Sequence, residues 1–177
     1  MLCRVIPQAL VALGLTVATI ASASAQPFTE GAAAALIRDA NALAAQIRGF
    51  HRWQGLTPPP PNYCATMQEG EAVQKQIARL ASRAILYRQP GLALALQRAG
   101  DALSDELDVE EEVNHQADVP FTAYPCPAPP GPYPARPVVL SIVLAKAPGC
   151  RREANVLRLS FEARRTLMQQ CLRLPGQ

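Results

Sequence analysis

The sequence predicts an all-α fold: an antiparallel four-helix bundle with a long proline-rich connection before its last helix, held by two disulfides. Three observations carry this. Four segments repeat apolar residues at steps of three and four, the period of one helix face. Residues 118–149 gather nine of the chain's 17 prolines, which separates the third segment from the fourth. Four cysteines follow an N-terminal stretch with the pattern of an export signal.

In the first segment Thr29 can cap the helix and Phe28 can act as a hydrophobic staple. Its stripe is Leu36, Ala40, Leu43, Ile47 and Phe50. Pro58 to Pro61 break the pattern, since consecutive prolines favour the extended polyproline II form.

The second segment opens on a capping box, Thr66-Met67-Gln68-Glu69. Its stripe is Val73, Ile77, Leu80, Ala84 and Tyr87. Gln89-Pro90-Gly91 predicts a tight turn, because proline disfavours helix in the residue before it and Pro-Gly suits a type II turn.

The third segment carries Leu92, Leu96, Ala99, Leu103 and Leu107, then an acidic run from Asp105 to Glu112. The acidic run reads as a solvated helix end, with Glu111 and Glu112 bonded to His115. Within 118–149, Val138 to Ala145 is apolar without alternation and fits a short buried helix or strand equally well. The last helix is expected from about Arg151 to Leu172, with Ala154, Leu157, Phe161, Met168 and Cys171 inward and Arg164 reaching the stripe's edge.

At the N-terminus, Arg4 precedes an apolar run from Val5 to Ile20, and Ala23-Ser24-Ala25 has the small-x-small pattern of a cleavage site. This divides the chain into a signal peptide, 1–25, and a single helical domain, 26–177. The expected location is periplasmic or secreted, with no transmembrane segment left after cleavage. Without Arg4, the 17 basic residues fall to 16 against 14 acidic. That balance gives no reason to expect nucleic acid as a partner.

An even set of cysteines in an exported chain reads as disulfides: Cys64, Cys126, Cys150 and Cys171. In one continuous last helix, Cys150 and Cys171 would stand about 32 Å apart, far beyond the ~7 Å that a disulfide spans. Two schemes then remain. Cys64–Cys150 with Cys126–Cys171 suits an up-down-up-down bundle. Cys64–Cys171 with Cys126–Cys150 suits a crossover through the proline-rich connection, and is preferred. Closing a loop of about 25 residues stabilises by roughly 3 kcal/mol in the chain-entropy model.

No catalytic, cofactor-binding or metal-binding residue is assigned, and no cofactor is expected. Glu112-x-x-His115 has the spacing found in di-iron bundles, but such a site needs a second copy and two further glutamates, which are missing. Ser82, Ser104, Ser141 and Ser160 lie in no G-x-S-x-G context. Asp101, Asp105 and Glu106 read as solvating charges. The arginines of the second and fourth segments read as electrostatic complements to the acidic third. Trp53, Tyr63, Arg158 and Arg165 are the candidates for an interaction surface, while the favoured reading of Trp53 beside the tetraproline is a cap on the end of the bundle. The functional expectation is a non-enzymatic binding protein whose partner is an unknown protein or envelope component. The alternative is an exported enzyme or small-ligand carrier with a site built from scattered helix positions.

Overall fold

A computed structural model describes residues 30–119, 132–156 and 159–174. Within them the chain is all-helical: α1 (Glu30–Phe50), α2 (Tyr63–Leu86), α3 (Pro90–Gln116), α4 (Arg136–Val156) and α5 (Phe161–Leu172). The predicted signal peptide lies outside the described residues, as do Thr29, Phe28 and Cys126.

α3 is the centre of the molecule. It packs against each of the other four helices, while α1 pairs with α2 and α4 with α5. The stripes of the first three segments form the core: Leu43, Ile47 and Phe50 from α1, Val73 and Ile77 from α2, Leu96, Leu103 and Leu107 from α3. Close helix approach depends on small residues. A Cβ on Gly100 would come within 2.8 Å of Ile77 Cγ2, so α2 and α3 meet where only hydrogen fits.

α2 begins one turn before its predicted capping box. Tyr63 N bonds Pro60 O at 2.9 Å, and Asn62 makes no side-chain cap. Thr66 is buried instead, with its hydroxyl 3.4 Å from Gln46 Oε1. The connection between α2 and α3 is tight but is not the expected type II turn: Arg88 and not Gly91 takes the left-handed position, and Pro90 and Gly91 already lie in the first turn of α3, where Pro90 needs no amide hydrogen. Both α2 and α3 end in Schellman motifs. Arg88 (φ 56°) and Asp118 (φ 55°) take the left-handed position. Gln89 N then bonds Ala84 O, and Val119 N bonds Asn114 O, each at 2.9 Å.

The C-terminal third departs most from expectation. Val138 to Ala145 is helical, and α4 already starts at Arg136, inside the stretch read as a loop. The predicted last helix is two helices. Ser160 caps α5, its side chain accepting from Ala163 N, and so ends any continuous run from Arg151 to Leu172. There are therefore five helices among the described residues, not four.

That break overturns both predicted cysteine schemes. Cys150 and Cys171 are bonded to each other, with Cα atoms 5.7 Å apart. The 32 Å separation applied only to an unbroken helix; a hairpin of α4 and α5 brings the two sulfurs together. This is the one disulfide whose partners both lie among the described residues. Cys64 is disulfide-bonded as well.

Candidate functional site

The second half of α3 carries most of the molecule's buried charge. Asp105, Glu106, Asp108, Glu110 and Glu112 are all buried. They lie on several faces of the helix, and this is possible because α3 is surrounded. The solvated acidic end expected from the sequence does not occur.

Arginines from three helices meet these carboxylates. Arg48 of α1 contacts Glu106 at 2.7 Å. Arg151 of α4 contacts Glu106 at 3.1 Å and Asp105 at 3.4 Å. From α5, Arg164 contacts Asp105 at 2.6 Å, and Arg165 reaches Glu111 at 2.8 Å and Asp108 at 3.2 Å. Arg164 does not reach the edge of its stripe; it is buried and ion-paired. The arginines of α2 take no part in these pairs, contrary to the expected complement between the second and third segments. Lys75 of α2 instead pairs with Glu71 on its own helix at 3.3 Å.

The most enclosed part surrounds Arg136, the first residue of α4. Its guanidinium bonds Glu110 Oε1 and Asn114 Oδ1, and its Nε donates to Trp53 O at 2.9 Å. It also lies 4.3 Å from the centre of the Trp53 ring, in cation–π range. Tyr63 donates its hydroxyl to Glu110 Oε1 at 2.7 Å and accepts from Asn114 Nδ2 at 2.6 Å. Local structure holds this arrangement. Gly55, at φ 76°, accepts from Tyr133 N at 2.6 Å, and a Cβ there would come 3.0 Å from Arg136 Cβ. His51 faces the same carboxylates, its Nε2 3.8 Å from both Glu106 Oε2 and Glu110 Oε2.

Burial dominates the titration of these groups. It raises the Asp105 carboxyl to about 6 despite the opposing pull of Arg164 and Arg151. It raises Asp108 to about 7 against the field of Arg165. It lowers His51 below the ordinary imidazole value against the pull of Glu110 and Glu106. The Tyr63 phenol is pushed well up by burial and by the Glu110 charge.

Chemically this is a cross-linking network more than a reaction site. Each carboxylate from Asp105 to Glu111 except Asp108 has a hydrogen-bonded arginine, and Asp108 has Arg165 beside it and a bond from Ser104 at 3.3 Å. Among the described residues, no group of three or more His, Cys, Asp or Glu side chains is placed to hold a metal ion. Glu112 and His115 do not act together: Glu112 bonds Gln116, Glu111 pairs with Arg165, and His115 is exposed.

The residues read as an interaction surface are placed otherwise. Trp53 and Tyr63 are buried, packed ring against ring at 5.4 Å, because the 51–62 segment folds over the end of the core. Arg165 is half-buried and engaged by Glu111, and Arg158 lies outside the described residues. A different surface is apolar and open. At the α2–α3 corner Ile85, Leu86, Tyr87 and Leu94 are 66, 79, 60 and 47 % exposed. Beside the corner lies an open cleft of about 450 Å³, lined by Ile77, Ala81, Ile85, Ala93 and Phe161, with Asp101 and Glu162 also in its wall. The sequence held a signal for this surface in its run of Ile85-Leu86-Tyr87 just before a turn.

No family model, curated protein or solved structure matches this chain.

Proposed function

We propose that this chain is an exported, disulfide-stabilised helical protein of the periplasm or extracellular space, working by binding and not by catalysis. One observation carries the binding reading. Most of the buried charged side chains are ion-paired with one another in the interior, while the large apolar side chains of the α2–α3 corner face outward. Exposed apolar patches of this kind mark interaction sites more often than chance placement does. Export is supported by the Arg4-to-Ala25 pattern and by the Cys150–Cys171 disulfide, since such bonds persist in oxidising compartments. Among the described residues no helix is long and apolar enough to cross a membrane.

The cleft of about 450 Å³ favours a second reading, a carrier of a small apolar ligand. Fractionation separates these from an intracellular role. The protein should be recovered outside the cytoplasm with Gln26 as its first residue, and should sediment with the cell envelope. Recovery in the cytoplasm with Met1 retained refutes export. Failure to sediment with any envelope fraction refutes an envelope partner.

A further inference from the structure

We infer that the α2–α3 corner docks on an anionic lipid bilayer. This deepens the binding reading above and rests on it. Residues 72–100, which span most of α2, the corner and the first half of α3, contain Lys75, Arg79, Arg83, Arg88 and Arg98 and no acidic residue. Lys75 is taken by Glu71. None of the four arginines makes an ion pair among the described residues, whereas most of the arginines facing α3 do. The fold has therefore drawn most acids of α3 inward, onto α1, α4 and α5, and left the 72–100 segment with unpaired arginines and no acid of its own.

The apolar side chains sit within that basic segment. Ile85, Leu86 and Tyr87 are consecutive, at the point where α2 ends, and all three are exposed. The corner is pre-formed. Arg88 is fixed in the left-handed position by the bonds from Arg88 N to Ile85 O and from Gln89 N to Ala84 O, so little ordering cost falls on binding. Apolar residues that enter the acyl boundary, flanked by arginines at headgroup level, are the features of an interfacial membrane contact. A peptide partner would instead need a groove. Asp101 and Glu162 stand in the wall of the neighbouring cleft, so the anionic surface meets the outward-facing corner and not the cleft.

The test is flotation of the protein, purified with its disulfides intact, with vesicles of phosphatidylglycerol and phosphatidylcholine in equal parts, and with vesicles of phosphatidylcholine alone. Binding to the anionic vesicles is expected, weakened by added salt, with little binding to the neutral ones. The double variant Ile85→Ser/Leu86→Ser should weaken binding roughly tenfold or more, through loss of two inserting apolar side chains. Arg79→Gln/Arg98→Gln should weaken it roughly fivefold per cation. Arg38→Gln/Arg52→Gln, changing exposed arginines elsewhere, should bind as the parent does. All of these positions are exposed, and circular dichroism checks that each variant folds. Equal binding to both vesicle types, absence of binding to either, or full binding by the first two variants overturns the lipid assignment. So does a dimer that Ile85→Ser/Leu86→Ser dissociates, since a second copy would then cover the corner. Sedimentation with native envelope but not with protein-free vesicles overturns the lipid assignment and leaves the binding reading standing.

Discussion

Glu110 of α3 and Arg136 of α4 are both fully buried, and their side chains meet at 2.5 Å. Two charges out of water hold the start of α4 against the second half of α3. A buried pair of this kind stabilises little beyond an apolar replacement, but removing one partner leaves an uncompensated charge. Arg136→Met alone should therefore lower unfolding free energy by about 3–5 kcal/mol. Arg136→Met with Glu110→Leu should recover much of that loss. Urea denaturation of the two variants is the check, and equal destabilisation by both would show that hydrogen bonding to Tyr63, Asn114 and Trp53, not the charge pair, is what matters.

The α4–α5 hairpin is closed covalently by Cys150 and Cys171. Replacing both with serine should lower stability by roughly 3 kcal/mol, the chain-entropy value for a loop of this length. Peptide mapping without reduction should find Cys150 linked to Cys171 and Cys64 linked to Cys126. A Cys64–Cys150 or Cys64–Cys171 peptide would contradict the hairpin.

Much of the helical core was legible because apolar spacing reports burial directly. Ile47, Ile77 and Leu103 fall on stripes and are buried as the stripes require. The break before α5 was less legible, since Leu157, Phe161 and Met168 keep helical spacing across it. Ser160 as an N-cap was the signal against that periodicity. The acidic run from Asp105 to Glu112 was not legible at all. Its composition is that of a solvated surface, and only partners distant in sequence, such as Arg48 and Arg164, make its burial possible. Trp53 was legible as a cap on the end of the core, but the burial of Tyr63 was not, because an aromatic beside a proline segment looks the same whether it packs inward or lies open.

Stability should rise on mild acidification. Asp105 and Asp108 stand at about 6 and about 7 in the fold, above the ordinary carboxylate value of 3.8. Across that interval the native state binds more protons than the unfolded state, so lowering the pH favours it. His51 acts in the opposite sense: burial lowers it, so the unfolded state is protonated first and stability falls below pH 6.5. Arg151, Arg164 and Arg165 face the two aspartates. Two raised acids outweigh one lowered imidazole, so the thermal midpoint should increase from about pH 8 to about pH 5. Asp108→Asn should flatten most of this slope. A midpoint that falls over the same range would mean that the arginines, not burial, control these carboxylates.

Gly100 and Gly149 should respond oppositely to alanine. Each lies within a helix, where alanine is intrinsically favoured by about 0.5–1 kcal/mol. At Gly149 a Cβ meets nothing within 4 Å, so Gly149→Ala should stabilise by about that amount. At Gly100 the new carbon would stand 2.8 Å from Ile77 Cγ2. Ile77 is 2 % exposed and β-branched, so it has little room to turn aside. Overpacking costs about 1–3 kcal/mol, which exceeds the helix gain, and Gly100→Ala should destabilise by about 1 kcal/mol net. Adding Ile77→Leu, which removes the branched Cγ2 methyl, to Gly100→Ala tests the cause. If the clash is the source, this change recovers part of the loss, and the double variant is more stable than the sum of the two single changes. Simple additivity would place the cost of Gly100→Ala elsewhere than in the α2–α3 contact.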